Sequence, residues 1–133
     1  MSLSNYKYAP AVAVTDMRRA REFYEGKLGL SNGHEQPDGG TTYQCVDGTS
    51  IHVYPSPDHA GQSGATLGAW ETDDVESLVD DLTSSGVTFE KYDTDRLKTD
   101  EKGIATIGDV KAAHVKHASF KDPDGNCLGI YGA

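Results

Sequence analysis

The side chains of this chain best suited to chemistry at neutral pH are its five histidines and two cysteines. His114 and His117 stand three apart in HVKH. On a helix that spacing would make a metal-ligand pair. On a strand an odd spacing turns the two to opposite faces, where they cannot share an ion without a bulge. His52 lies in SIHVY and Glu71 closes ATLGAWE. A partly buried Glu and a His can each titrate near neutrality, which proton abstraction beside a carbonyl requires, so these two are the candidate catalytic residues. With His117 they are also the best improvised set for a metal ion. His34 and His59 fall in polar, loop-like stretches and read as surface residues. Cys45 and Cys127 are far apart and in no metal-ligand spacing, so they read as reduced, largely buried thiols.

Other chemistries find no support. GQSGA is not the G-x-S-x-G of a nucleophile elbow. PDGG and GDV read as turns, and no glycine-rich phosphate loop follows a strand. The formal charge of −9, from 21 acidic and 12 basic residues, disfavours nucleic acid and would attract a cationic ligand. No apolar run reaches the roughly 18 residues of a membrane span. MSLSNYKY has neither the basic start nor the apolar stretch of a signal peptide, so a cytoplasmic protein is expected.

The elements that must position these residues repeat. TDMRRAREFYEGKLGL places Met17, Ala20, Tyr24 and Leu28 at helical spacing, with Thr15 or Asp16 as N-cap and Gly29 as stop. TDDVESLVDDLTSSGVTF does the same with Val75, Leu78, Val79 and Leu82, starting within Thr72 to Asp74 and ending at Gly86. Thr15-Asp16 matches Thr72-Asp73 and Gly29-Leu30 matches Gly86-Val87, a period of about 57 residues. Strand-like APAVAV and ATLGAWE precede the two helices. Strands are expected after the first at 30–34, 42–46 and 50–54, and after the second at 87–92, within 112–120 and at 127–131. The charged stretch FEKYDTDRLKTDEKGIATIGD reads as a long loop. The prediction is an α+β fold of two tandem βαβββ modules forming an open, cupped mixed sheet. They make one domain over 6–132, with module one at about 6–55, a linker at about 55–64 and module two at about 65–132.

This duplication, with DMRRAREFYEGKLGL and FKDPDGN, resembles the vicinal oxygen chelate superfamily, which includes glyoxalase I, bleomycin-resistance proteins and extradiol dioxygenases. The resemblance spans roughly residues 6 to 132 and implies a cleft shared by the two modules, and a homodimer. Metal-dependent members hold a divalent ion with His and Glu from the first and fourth strands of each module. The matching positions here are Ala9, His52, Leu67 and Gly129, and only His52 can bind a metal. No cofactor is therefore expected.

Strand alternation assigns the faces. Val12, Val14, Ile51, Val53, Leu128 and Ile130 go to the core. Ala9, Ala11, Ala13, His52, Tyr54, Leu67, Ala69, Glu71, Cys127, Gly129 and Tyr131 go to the cleft. The small residues make a floor, Tyr54 and Tyr131 make aromatic walls, and His52 and Glu71 supply polar tips. Tyr43 and Trp70 are further aromatic candidates, although alternation sends Trp70 to the helix side with Gly68. The function expected is binding of a small organic molecule, aromatic or cationic, without a family-type metal, as in drug sequestration. The alternatives are a divalent-metal lyase, isomerase or dioxygenase with relocated ligands, and a non-catalytic dimerisation or regulatory module.

Overall fold

Alternation in AVAV buries Val12 and Val14 and leaves Ala11 and Ala13 on the other side of strand β1 (Ala11–Val14). The computed structural model describes residues 2–110 and 113–133, the side chains of 108–110, 113 and 114 excepted. The side chain of His114, and Ala112 at the head of an expected strand, thus lie outside the described residues. The chain divides into two units, Met1–Gln62 with Pro123–Asn126, and Ser63–Asp122 with Cys127–Ala133.

In the first unit Asp16 caps helix α1 (Met17–Arg21), accepting from the backbone N–H groups of Arg18 and Arg19. The helix widens into a π-helical turn over Glu22–Lys27, and the neighbours Phe23 and Tyr24 are both buried there. The stripe expected from the sequence counts Tyr24 but not Phe23, which is buried beside it in the widened turn. Gly29 follows at φ +73°, the left-handed conformation that ends a helix at low cost. Strands β2 (Gly33–Glu35), β3 (Thr41–Gln44) and β4 (Ser50–Pro55) complete a sheet of order β1-β4-β3-β2. β1 runs parallel to β4 and the other pairs are antiparallel. The second strand is shorter and later than the predicted 30–34. Asn32 at φ 56° keeps the preceding residues out of the ladder. Ala9 precedes β1 and is exposed.

The turn at 123–126 is tied to this first unit by its side chains. Asn126 donates through Nδ2 to the Ala13 carbonyl (2.7 Å) and accepts from the Gly61 N–H (3.1 Å). Asp124 accepts from the Thr15 N–H (3.1 Å), the Thr15 hydroxyl (2.7 Å) and Arg19 (2.7 Å). These bonds explain the FKDPDGN motif: its Asp and Asn satisfy backbone groups at the end of β1 and the start of α1.

The second unit repeats the order with β5 (Thr66–Thr72), α2 (Val75–Ser84), β6 (Ala105–Val110), β7 (Ala113–Lys121) and β8 (Cys127–Gly132), arranged β5-β8-β7-β6. Asp74 caps α2, and Val75 and Val79 are buried. Trp70 stacks on Phe120 at 6.3 Å and Phe89 meets Phe120 edge-on at 5.7 Å, so Trp70 sits on the core side as alternation predicts. The strand expected at 87–92 is not formed. Val87 and Phe89 alternate inward, but toward β7 the described backbone makes a single bridge, from Phe89 to Phe120, with a Glu90 N–H bond to the Ser119 carbonyl. The true partner of β7 is β6, whose first residues fall within the stretch read as a charged loop. β6 pairs from Ala105↔His117 onward, so Phe89 occupies the β7 edge that β6 leaves free beyond residue 117.

Candidate functional site

The hairpin of β3 and β4 fixes a row of side chains across the first sheet. Register places His34 beside Thr42, Thr42 beside His52, and His52 beside Ala11, all on the face opposite Val53 and Tyr43. His52 carries the chemistry of this row. Its Nδ1 lies 2.9 Å from the Thr42 hydroxyl and its Nε2 2.7 Å from Asp38 Oδ2. Asp38 comes from the PDGG turn before β3, and its Oδ1 accepts the Gly40 N–H at 2.8 Å. The hydrogen bond from His52, then that from Gly40, holds the Asp38 carboxyl below the usual carboxylate range. Tyr54 lies parallel to the His52 ring, centroids 5.6 Å apart at an interplanar angle of 2°. Gln36, Pro37, Asp38, Thr42 and His52 line an open depression of about 450 Å³.

Donor and acceptor counting fixes the protons of this chain. An ionised carboxylate only accepts, so Nε2 carries the hydrogen. In the neutral ring Nδ1 then accepts from the Thr42 hydroxyl. Sequence reading names His52 and Tyr54 as candidates but not Asp38 and Thr42, which the structure brings against His52. The signal for Thr42 was present: a hairpin centred on Asp47 of VDG pairs 42 with 52. Asp38 carried none, since an Asp in a Pro-Asp-Gly-Gly turn is accounted for by the turn itself.

The second sheet has its own row, Glu71 beside Tyr131 beside His117. Glu71 is exposed, Tyr131 is 37% exposed and His117 is half-buried. Burial lowers the His117 pKa below its ordinary 6.5. One step along, Ala69, Gly129 and Ser119 form the adjacent row. A Cβ at Gly129 would stand 3.0 Å from His117 Nε2, so the glycine makes room for the imidazole reaching over it. Tyr43, considered as a ligand wall, is only 1% exposed. It packs inside the first unit and donates its hydroxyl to Glu25 at 2.7 Å.

The metal centre of the family does not fit these residues. Of the four positions to which the resemblance assigns the ligands, Ala9, Leu67 and Gly129 offer no donor, and both nitrogens of His52 are engaged by Thr42 and Asp38. Among the described residues no three His, Cys, Asp or Glu side chains gather as an ion requires.

The profile of the Glyoxalase/Bleomycin resistance protein/Dioxygenase superfamily matches residues 9–130. The chain belongs to that superfamily. Solved structures agree on the fold. A glyoxalase/bleomycin resistance protein/dioxygenase from Alicyclobacillus acidocaldarius is 17% identical with a TM-score of 0.69, covering 98% of this chain and 93% of its own. A bleomycin-binding protein complexed with bleomycin is 17% identical with a TM-score of 0.65, covering 96% and 98%. TnmS3, an antibiotic binding protein from Streptomyces sp. CB03234, is 22% identical with a TM-score of 0.61, covering 94% and 93%. No functionally curated sequence matches the chain. Within this glyoxalase-fold superfamily, no described helix of the present chain is long and apolar enough to cross a membrane.

Proposed function

We propose that this superfamily member binds a small organic molecule on its sheet faces without a family-type metal, as a sequestering protein does. The observation that carries the reading is His52. At the one family ligand position with a donor, both ring nitrogens are already satisfied by protein groups, and the ring lies parallel to Tyr54. A stacked pair with polar edges suits a planar or amphipathic ligand. In the first unit the proposed contacts are His52, Tyr54 and Ala11. In the second they are Glu71, Leu67, Gly129 and Tyr131. Two of the similar structures are described as binding antibiotics, which makes a drug-like ligand the natural first choice. The reading takes the protein to be a cytoplasmic homodimer, which light scattering on the purified protein tests directly.

The deciding experiment is a calorimetric screen of bulky aromatic compounds, bleomycin-class glycopeptides included, against protein dialysed with chelator. Binding by chelator-treated protein is expected, with no turnover of the bound compound. Binding or turnover that appears only after a divalent metal is restored would replace this reading with a metal-dependent enzyme. A screen without any binder would favour a purely structural module.

A further inference from the structure

The hydrogen-bond chain in the first unit has a direction. Gly40 N–H and His52 Nε2–H both point into the Asp38 carboxylate, at 2.8 and 2.7 Å. The Thr42 hydroxyl spends its only hydrogen on His52 Nδ1, at 2.9 Å, when the ring is neutral. What these three residues leave toward the depression is therefore lone pairs, those of the Thr42 oxygen and the unused ones of both Asp38 oxygens, while the Gln36 carboxamide, donor and acceptor both, lines it beside them. Asp38 keeps its full negative charge, because its ring partner is uncharged in this state. The Asp38 side chain is 45% exposed and that of His52 is 22% exposed, so a ligand reaches the charge directly. Beside this edge lies the flat His52–Tyr54 stack, and His34 stands in register beyond Thr42.

We infer that the depression lined by Gln36, Pro37, Asp38, Thr42 and His52 is a subsite for a planar organic cation bearing N–H donors, of the amidinium or aryl-guanidinium class. The donors pair with Asp38 and Thr42, and the flat body lies along the His52–Tyr54 pair. An anion of the same shape meets the like charge of Asp38, so the site discriminates by charge as well as shape. His52 here is a positioning residue. It holds Asp38 at the rim and turns Thr42 into an acceptor. The inference rests on the reading that this sheet face binds an organic ligand, and it names the ligand's chemical class.

Three probes of one shape test it at pH 8: benzamidinium, neutral benzamide and benzoate, titrated by NMR into the intact chain. Benzamidinium is expected to bind at least about tenfold tighter than benzoate, a margin that narrows as salt is raised. Shift changes should centre on residues 36–42 and 52–54. In Asp38→Asn that margin should fall to about twofold or less. Long-range nitrogen correlation spectra of the unmodified protein give a readout that needs no variant. They should show His52 protonated at Nε2 and bare at Nδ1. The opposite tautomer, equal binding of benzoate, absence of benzamidinium binding, or an undiminished margin in Asp38→Asn would each overturn the inference. If bulky aromatics bind the chelator-treated protein while benzamidinium and benzoate do not differ, only this subsite fails. If neither set binds, the broader reading fails with it.

Discussion

Arg19 donates through Nη2 to Asp124 Oδ1 at 2.7 Å, joining side chains 105 positions apart in sequence. The Asp124 side chain is 6% exposed and also takes both the N–H and the hydroxyl of Thr15. One carboxylate thus ends strand β1, begins helix α1 and fixes the 123–126 turn. In Asp124→Ala these donors lose their acceptor. A charge-assisted bond in such a setting is worth about 2 kcal/mol, so urea unfolding should show a loss of that order. Arg19→Ala should cost less, since its side chain is 49% exposed and the Thr15 bonds survive. Equal costs for the two variants would mean that the ion pair, not the turn and cap, is what matters.

Gly40 sits where a side chain cannot. A Cβ there would lie 2.5 Å from the Val53 carbonyl oxygen and 2.8 Å from Tyr54 Cα, both backbone atoms that move only with the strand. Gly40→Ala should therefore cost about 2 kcal/mol or more. Because Gly40 N–H is a partner of Asp38, the variant should also disturb the His52 ring resonances. A thermal midpoint within about one degree of the parent's would show that β3 and β4 separate freely at this point.

Most of the fold is legible in the sequence because alternation and helix punctuation are local signals. Val12/Val14, Ile51/Val53 and Leu128/Ile130 declare their face by period two, and Gly29 and Gly86 declare the helix ends by their left-handed backbone. Pairing is not local, and there the reading failed. Val87 and Phe89 have the pattern of a strand, yet the β7 edge they would need is held along most of its length by residues 105–110. The site divides in the same way. His52 and Tyr54 follow from alternation alone, whereas Asp38 reaches His52 only because the β2–β3 turn folds back over the sheet, 14 residues earlier in the chain.

Tyr43 shows how a buried phenol can be stabilised from outside the core. Its ring is 1% exposed and its hydroxyl donates to exposed Glu25 on the π-helical turn at 2.7 Å. Burial first, and then the Glu25 bond, raise its pKa far above the usual phenol value. In an alkaline absorbance titration Tyr43 should stay protonated until the chain unfolds, and Tyr43→Phe should reduce the late component by one tyrosine. The stability cost should be about 1 kcal/mol, because Glu25 regains water when its donor is lost. A tyrosine spectrum that titrates fully in folded protein would contradict the buried placement.

His117 sets an acid limit on stability. Burial beside Gly129 and Tyr131 penalises its charged form, so its folded pKa lies below the ordinary 6.5. As pH falls, the unfolded chain takes up this proton first. The contribution of the neutral ring is therefore full above about 6.5, declines as pH drops from there toward the folded pKa, and then levels off. His117→Gln cannot charge and should escape that decline. Urea midpoints compared between pH 7.5 and pH 5 should fall further for the parent than for the variant. Identical falls would mean that the imidazole is solvated in the folded state. Gly129→Ala gives the complementary result: it crowds His117 Nε2 and should push the ring outward, raising its pKa toward the ordinary value in an NMR titration.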